Sequence, residues 1–127
     1  MSVHVKWDNE EHTIILWSFV GRWTWGEYED ALNVVSTMLS SVDYLVDYIY
    51  DVRHMSILPP DVVTRFKGKY LKQPQNAGRF VAVGVDHNLR LVWNTFTDLP
   101  YARHLKVEYA DTPEEARVLL EGGRPSG

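Results

Sequence analysis

The stretch at positions 44–52, Tyr-Leu-Val-Asp-Tyr-Ile-Tyr-Asp-Val, constrains the fold of this chain more than any other. Nearly all of its residues are apolar, aromatic or β-branched, yet it is too short to cross a membrane and it contains Asp47. Such a run predicts a strand within 43–53 that is buried on both faces, as in a parallel sheet covered by helices. Pro59 and Pro60 then mark a loop leading into a helix, because proline fits the first helical turn.

The composition indicates an ordinary globular domain. The chain has 127 residues, of which 45% are hydrophobic, which is enough for a single core. We expect one domain over residues 1–123 and a flexible tail at 124–127. The net charge of -4 argues against a nucleic-acid binder, which needs a basic surface to neutralise phosphates. Because there is no cysteine, disulfides, thiol nucleophiles and thiolate metal sites are excluded.

The sequence contains no apolar signal region and no run long enough for a transmembrane helix. We therefore expect a cytoplasmic protein.

Hydrophobic periodicity predicts the order β-β-α-β-α-β-α-β-α. The turn between the first two strands is too short for a crossover, so they should form an antiparallel hairpin. The later strands alternate with helices, which favours an α/β domain with a single mixed β-sheet and helices packed over it. The predicted strands cover 3–7, 13–20, 43–53, 80–85 and 105–109, and the predicted helices cover 24 to 40 or 41, 60–71, 89–99 and 112–121.

Two capping boxes mark helix starts. Thr24 and Glu27 have the T-x-x-E spacing in which the hydroxyl and the carboxylate each satisfy an unpaired amide of the first turn. The segment 112–115, Thr-Pro-Glu-Glu, repeats this spacing and places proline at the favoured first position.

The hairpin start, the helix capped by Thr24 and the segments 48–53, 80–85 and 112–117 together resemble the STAS domain. This is the fold of the sporulation anti-sigma factor antagonists, and the closer likeness is to the STAS-like group related to the lipid-binding CRAL-TRIO domains. The resemblance covers nearly the whole chain and rests on features of the fold. It implies a regulatory module that acts through protein contacts.

One departure from the STAS pattern concerns phosphorylation. Family members that act as phospho-switches carry Asp-Ser-Ser-Gly where the central strand meets the second helix, and the phosphoserine lies at a helix N-terminus that favours negative charge. Here the matching stretch is Ser56-Ile57-Leu58-Pro59, and the serine position falls near Ile57 or Leu58. We therefore expect neither the usual phospho-switch nor strong phosphorylation of Ser56.

Polar side chains follow the central strand and the next parallel strand. Because the carboxyl ends of parallel strands meet at one edge of a sheet, both groups should line one rim, as a small pocket or a partner site. The alternatives are structural: an Asp51–Arg53 pair that tethers the loop, and a helix cap by Asp86 or Asn88. The candidate rim residues are Asp51, Arg53, His54, Ser56, Asp86, His87 and Asn88.

These residues form no recognisable catalytic or metal-binding motif. His54 and Ser56 would serve as base and nucleophile, but no oxyanion-hole loop or nucleophile elbow accompanies them. A metal held by His54 and His87 would lack a third ligand. We therefore predict no enzyme activity, no metal site and no cofactor.

A basic run stands out against the acidic composition. It is either the solvated face of the predicted second helix or a surface for an acidic partner, a phosphorylated ligand or an anionic membrane. Its residues are Arg65, Lys67, Lys69 and Lys72, followed by Arg79.

Three aromatic residues, Trp23, Trp25 and Tyr28, cluster at the entry to the first helix. One of them should form the hydrophobic staple of that helix, and any that stays exposed would form a binding or dimer surface. A homodimer is also favoured by the hairpin at the sheet edge, because an edge strand leaves backbone groups unpaired.

Together these features predict a non-enzymatic STAS-like regulatory or protein-interaction module without the usual phosphorylatable serine. Its partner would be another protein or a second copy of the chain. The alternative is a carrier or sensor of a small amphiphilic or lipid-like ligand bound between the helices and the sheet.

Overall fold

A computed structural model of the protein describes residues 2–56, 76–100 and 107–122. The predicted helix at 60–71, with Arg65, Lys67, Lys69 and Lys72, lies outside the described residues, as does the tail at 124–127. No helix within the described ranges is long and apolar enough to span a membrane. The elements in these ranges are β1 (Ser2–Trp7), β2 (Ile14–Gly21), α1 (Trp25–Ser40), β3 (Val46–Met55), β4 (Ala77–Val83), α2 (His87–Thr97), β5 (Glu108–Ala110) and α3 (Pro113–Gly122).

The strands form one mixed sheet in the order β1-β2-β3-β4-β5. Strands β1 and β2 are antiparallel, and each later pair of neighbours is parallel. The central strand β3 has a parallel neighbour on each side, and Ile49, between Leu16 and Val81, is 0% exposed. The predicted α/β architecture with a single mixed sheet is therefore confirmed.

The central strand lies further along the chain than the hydrophobic run suggests. It covers positions 46–55 instead of 43–53. Tyr44 is exposed ahead of the strand, where its hydroxyl donates to the carbonyls of Glu11 (3.2 Å) and His12 (2.9 Å). Tyr44 therefore fits the strand pattern in the sequence, but in the structure it ties the segment before β3 to the β1–β2 turn.

The remaining boundaries differ from the predicted ones by a few residues. Strand β4 covers 77–83 instead of 80–85, and α2 covers 87–97 instead of 89–99. Strand β5 covers 108–110, while positions 105 and 106 of the predicted strand lie outside the described residues.

Apolar layers cover both faces of the sheet. On one, here called the α1 face, α1 packs against large side chains of β2 and β3, including Trp17, Phe19 and Tyr48. On the other, the α3 face, α3 contributes Ala116 and Leu120 to a second cluster. Strand β3 supplies side chains to both layers, as expected for a strand buried on both faces.

Arg79 is half-buried and is fixed by hydrogen bonds to neighbouring elements. Its Nε and Nη2 donate to the carboxylate of Glu108 at 2.9 and 2.6 Å, and its Nη1 donates to the carbonyl of Leu119 at 3.1 Å. Its backbone N–H donates to the buried carboxylate of Asp47 at 2.8 Å. The sequence pattern grouped Arg79 with the basic run, whereas the structure uses it to join β4, β5 and α3.

The start of α1 contains both a capping box and a hydrophobic staple. The hydroxyl of Thr24 accepts the Glu27 N–H at 3.2 Å, and the Glu27 carboxylate accepts the Thr24 N–H at 3.1 Å. Trp23 and Tyr28 flank this cap at the staple positions, are both buried and have ring centroids 5.7 Å apart. Trp25 is half-buried, so an exposed aromatic surface at this helix end would depend on Trp25.

Replacing Thr24 with alanine should lower the free energy of unfolding by about 1 kcal/mol, because an amide of the first turn loses its acceptor. Urea denaturation of the variant and the parent would measure the loss. The control is Thr37→Ala on the exposed side of α1, where the hydroxyl donates to the Asn33 carbonyl of the same helix. Its stability should be unchanged or slightly higher. An equal loss in both variants would show that the cap is not the cause.

Candidate functional site

A β-bulge lies at the carboxyl end of β3. Ser18 of β2 pairs with Asp51, but Val20 pairs with His54, so β3 carries one extra residue between these two pairs. Bulges bend a strand and redirect its side chains, and they are over-represented beside functional sites. Here the bulge separates the buried part of β3 from an exposed end that continues as far as Met55.

Asp51 anchors this bulge. Its carboxylate accepts the backbone N–H of Arg53 at 3.1 Å, which supplies an acceptor at the point where the strand pairing shifts. The same carboxylate accepts Nε and Nη2 of Arg53 at 2.9 and 2.8 Å. Asp51 is 7% exposed, so a buried carboxylate fixes both the backbone and the side chain of the residue two positions later.

Asp51 and Arg53 each stabilise the charged form of the other. Burial alone would raise the pKa of Asp51, but the hydrogen bonds and positive charge of Arg53 outweigh burial and lower it. The pKa of Arg53 is raised by its side-chain hydrogen bond to Asp51, with a smaller contribution from the charge of Glu114. Both groups therefore remain charged around neutral pH, as expected for a tethering pair.

Gly84 brings the end of β4 against Arg53. It has a φ of +81°, and a Cβ at this position would overlap the side chain of Arg53. Its N–H donates to the carbonyl of Ala110 at 3.0 Å, so the chain leaves β4 while still held to β5. The run predicted as a strand to position 85 therefore ends at Val83, and the turn at Gly84 carries the next segment along the rim.

Replacing Gly84 with alanine should lower the free energy of unfolding by about 1–2 kcal/mol, because a residue with a Cβ is strained at positive φ. The added Cβ should also displace Arg53. The matched control is Gly26→Ala in the first turn of α1, where the nearest atom to a new Cβ would be Thr24 Oγ1 at 3.8 Å. That change should stabilise the domain by about 0.5–1 kcal/mol. Thermal unfolding would distinguish the expected loss of stability in Gly84→Ala from the expected gain in Gly26→Ala. A more stable Gly84→Ala variant would contradict the strained turn at Gly84.

The second group of polar residues surrounds the start of α2. Asp86 caps the helix, because its carboxylate accepts the Leu89 N–H at 2.9 Å and its carbonyl accepts the Arg90 N–H at 3.0 Å. His87 and Asn88 lie in the first turn and are exposed. Of the two caps that the sequence allowed, the structure uses Asp86.

The ends of β3 and β4 bring both polar groups to one edge of the sheet, since Asp51 pairs with Val83. We call this edge the carboxyl rim. Asp51 and Asp86 each accept a backbone N–H, and of the seven rim residues only Asp51 is buried. The exposed members are Arg53, His54, Ser56, Asp86, His87 and Asn88.

In the described part of the rim, Ser56 and the two histidines form neither a hydrogen-bonded base–nucleophile pair nor a metal-ligand group. No hydrogen bond there joins Ser56 to His54, and the Ser56 N–H donates to the carbonyl of Gly21 at 3.0 Å. Within residues 2–56, 76–100 and 107–122, no three His, Cys, Asp or Glu side chains are grouped so that they could hold a metal ion.

Two further residues belong to this arrangement and escaped the sequence analysis. Gly84 carries a weak signal, since a glycine near the end of an apolar run can mark a turn. Glu114 fits a capping box in the sequence, and its influence on Arg53 depends on how α3 folds back over the sheet.

No family model and no curated protein matches the sequence. Among solved structures, the chain is similar to the anti-sigma factor antagonist SpoIIAA in its unphosphorylated form, with a TM-score of 0.64 and 14% sequence identity. The match covers 97% of this chain and 100% of the other. At this low identity the likeness shows the fold, and the five-stranded mixed sheet agrees with it. The chain therefore shares the fold of that protein, and the predicted STAS-like fold is confirmed.

Proposed function

We propose that this chain is a non-enzymatic regulatory module that binds a protein partner at the carboxyl rim. The observation that supports this most directly is the bulge anchored by Asp51, which holds Arg53 and orients the exposed end of β3. A rigid scaffold that presents polar side chains at a sheet edge suits recognition of another protein. The likeness to a protein named as an anti-sigma factor antagonist favours the same class of partner.

The charge state of Asp51 argues against its use as a general base. A general base at neutral pH works best with a pKa near 7, whereas the pKa of Asp51 is lowered by Arg53. Both carboxylate oxygens of Asp51 already accept hydrogen bonds from Arg53. Asp51 is therefore suited to holding Arg53 in place and poorly suited to accepting a proton from a substrate.

Binding at this rim should not depend on phosphorylation of Ser56. The positions that match the phospho-switch serine are Ile57 or Leu58, which have no hydroxyl group. The backbone N–H of Ser56 is bonded to Gly21 and is not a free amide that would stabilise a phosphate. The partner should therefore bind the unmodified chain.

Site-specific photocrosslinking in cells of the source organism would test this proposal. A benzophenone side chain at position 54 on the rim should give a defined protein adduct that excess unlabelled chain competes away. The matched control places the same group at Asn33, which is exposed on α1. The absence of a competed adduct at position 54, or the same adduct from position 33, would contradict the proposal. If Ser56 in the adduct carried stoichiometric phosphate, the expectation that the partner binds the unmodified chain would be wrong.

A second candidate, a carrier of a small amphiphilic ligand, is favoured by two buried indole groups. Trp17 and Trp23 are 2% and 4% exposed, and their Nε1–H groups find no acceptor among the described residues. A buried donor without an acceptor costs about 1–3 kcal/mol, which a carbonyl or carboxylate oxygen of a ligand would offset. Native mass spectrometry of freshly purified protein should then show a retained small molecule. The mass of the bare chain alone would count against the carrier.

A further inference from the structure

Strand β1 leaves one side of its backbone open at the edge of the sheet. Among the described residues it has a strand neighbour on one side only. The Asp8 N–H donates to the carbonyl of Ile14 at 2.8 Å, so even-numbered residues of β1 direct their backbone groups toward β2. The odd-numbered residues must then direct their N–H and carbonyl groups outward. These outward residues are Val3, Val5 and Trp7.

The hydrogen bonds between β2 and β3 independently support this assignment of inward and outward residues in β1. The carbonyl of Thr13 accepts the Asp47 N–H at 2.9 Å, so odd-numbered residues of β2 face β3. Even-numbered residues of β2 therefore face β1, and they pair with the even-numbered residues of β1. The open edge is thus defined residue by residue.

We propose that β1 pairs with β1 of a second copy of this chain, antiparallel and with the two-fold axis at Val5. Only this register pairs all three outward residues, with Val5 opposite Val5 and Val3 opposite Trp7 of the other copy. Each such pair exchanges two backbone hydrogen bonds. On the α1 face, Trp7 then lies opposite a β-branched side chain, which is a favourable cross-strand pair.

In many edge strands a proline or a bulge disrupts the backbone and so prevents pairing with another strand. Strand β1 has neither feature. It contains no proline, and its register with β2 is continuous from Ser2 to Trp7 without a bulge. His4 and Lys6 are exposed, but they project from the α3 face and do not stand between the two backbones. This dimer does not require the buried Trp23, and it is independent of partner binding at the carboxyl rim.

Cysteine crosslinking tests the register directly, because the chain has no cysteine of its own. In a hydrogen-bonded antiparallel pair, opposite Cα atoms are about 5.5 Å apart, within the range that a disulfide spans. Val5→Cys should therefore form a disulfide-linked dimer under mild oxidation. In Lys6→Cys the two cysteines lie diagonally, so much less dimer should form. More crosslinking at position 6 than at position 5 would overturn the register.

Sedimentation equilibrium tests the association itself. From low to high micromolar concentration, the parent should change from monomer to dimer. Val5→Pro removes only an outward N–H, because Val5 does not donate to β2, and this variant should stay monomeric while remaining folded. Val5→Thr keeps the N–H and should dimerise like the parent. A parent that is monomeric throughout, or a folded Val5→Pro variant that dimerises equally well, would overturn the proposal. If Val5→Pro does not fold, the comparison of the two cysteine variants decides.

Discussion

Replacing Ile49 with alanine is expected to lower the free energy of unfolding by about 2–5 kcal/mol, the usual cost of truncating a buried aliphatic side chain. Ile49 is completely buried in the middle of β3 and belongs to the apolar cluster on the α3 face. Its neighbours across the sheet are Leu16 and Val81, so three strands enclose the space that the side chain occupies. Urea denaturation of the parent and the variant would measure the difference.

The matched control is Leu45→Ala, one residue before β3. Leu45 is 63% exposed, so the same loss of apolar atoms should change stability by less than about 0.5 kcal/mol. The contrast separates burial from any general effect of shortening a side chain in this segment. An Ile49→Ala variant as stable as the parent would show that β3 is not the central core strand.

The elements of the fold could be predicted because each leaves a local pattern in the sequence. The run around Ile49 predicted a buried strand, and the spacing of Thr24 and Glu27 predicted the start of α1. The ends of strands could not be predicted equally well, because pairing with neighbouring strands decides them. Tyr44 has the character of a strand residue, but its hydroxyl binds the β1–β2 turn, which is distant in sequence.

The sequence predicted that the polar groups after β3 and β4 share one edge of the sheet, but it did not predict how the residues there are held. The carboxyl ends of two parallel strands identified the region, and Asp51 and Arg53 were correctly interpreted as able to pair. The bulge was not predicted, because an extra residue in a strand leaves the hydrophobic pattern almost unchanged. The close approach of Gly84 to Arg53 also depends on strand pairing and could not be derived from spacing.

Replacing Asp51 with asparagine is expected to lower the free energy of unfolding at pH 7 by about 1.5–3 kcal/mol, the range for hydrogen bonds to charged groups. The side chain keeps its shape, but its amide nitrogen would face a guanidinium donor and the negative charge is lost. Because the side chain of Arg53 is 38% exposed, solvent screening should place the loss toward the lower end of that range.

The effect of Asp51→Asn should depend on pH in one direction. The pKa of Asp51 is lowered from its ordinary value of 3.8, so the folded protein binds its proton less readily than the unfolded chain does. The contribution of the carboxylate is therefore complete well above pH 3.8 and is lost as the pH falls through its folded-state pKa. The difference between parent and variant should be constant near neutrality and should shrink in acid.

The control for Asp51→Asn is the same substitution at Asp86 on the same rim. Asp86 caps α2, and asparagine caps a helix about as well as aspartate, so Asp86→Asn should change stability little at neutral pH. Urea denaturation of the three proteins at neutral pH and at a series of acidic pH values makes the comparison. Equal stability of parent and Asp51→Asn at pH 7 would mean that the Asp51–Arg53 pair does not hold the bulge. A difference that persists unchanged in acid would mean that the carboxylate charge is not its source.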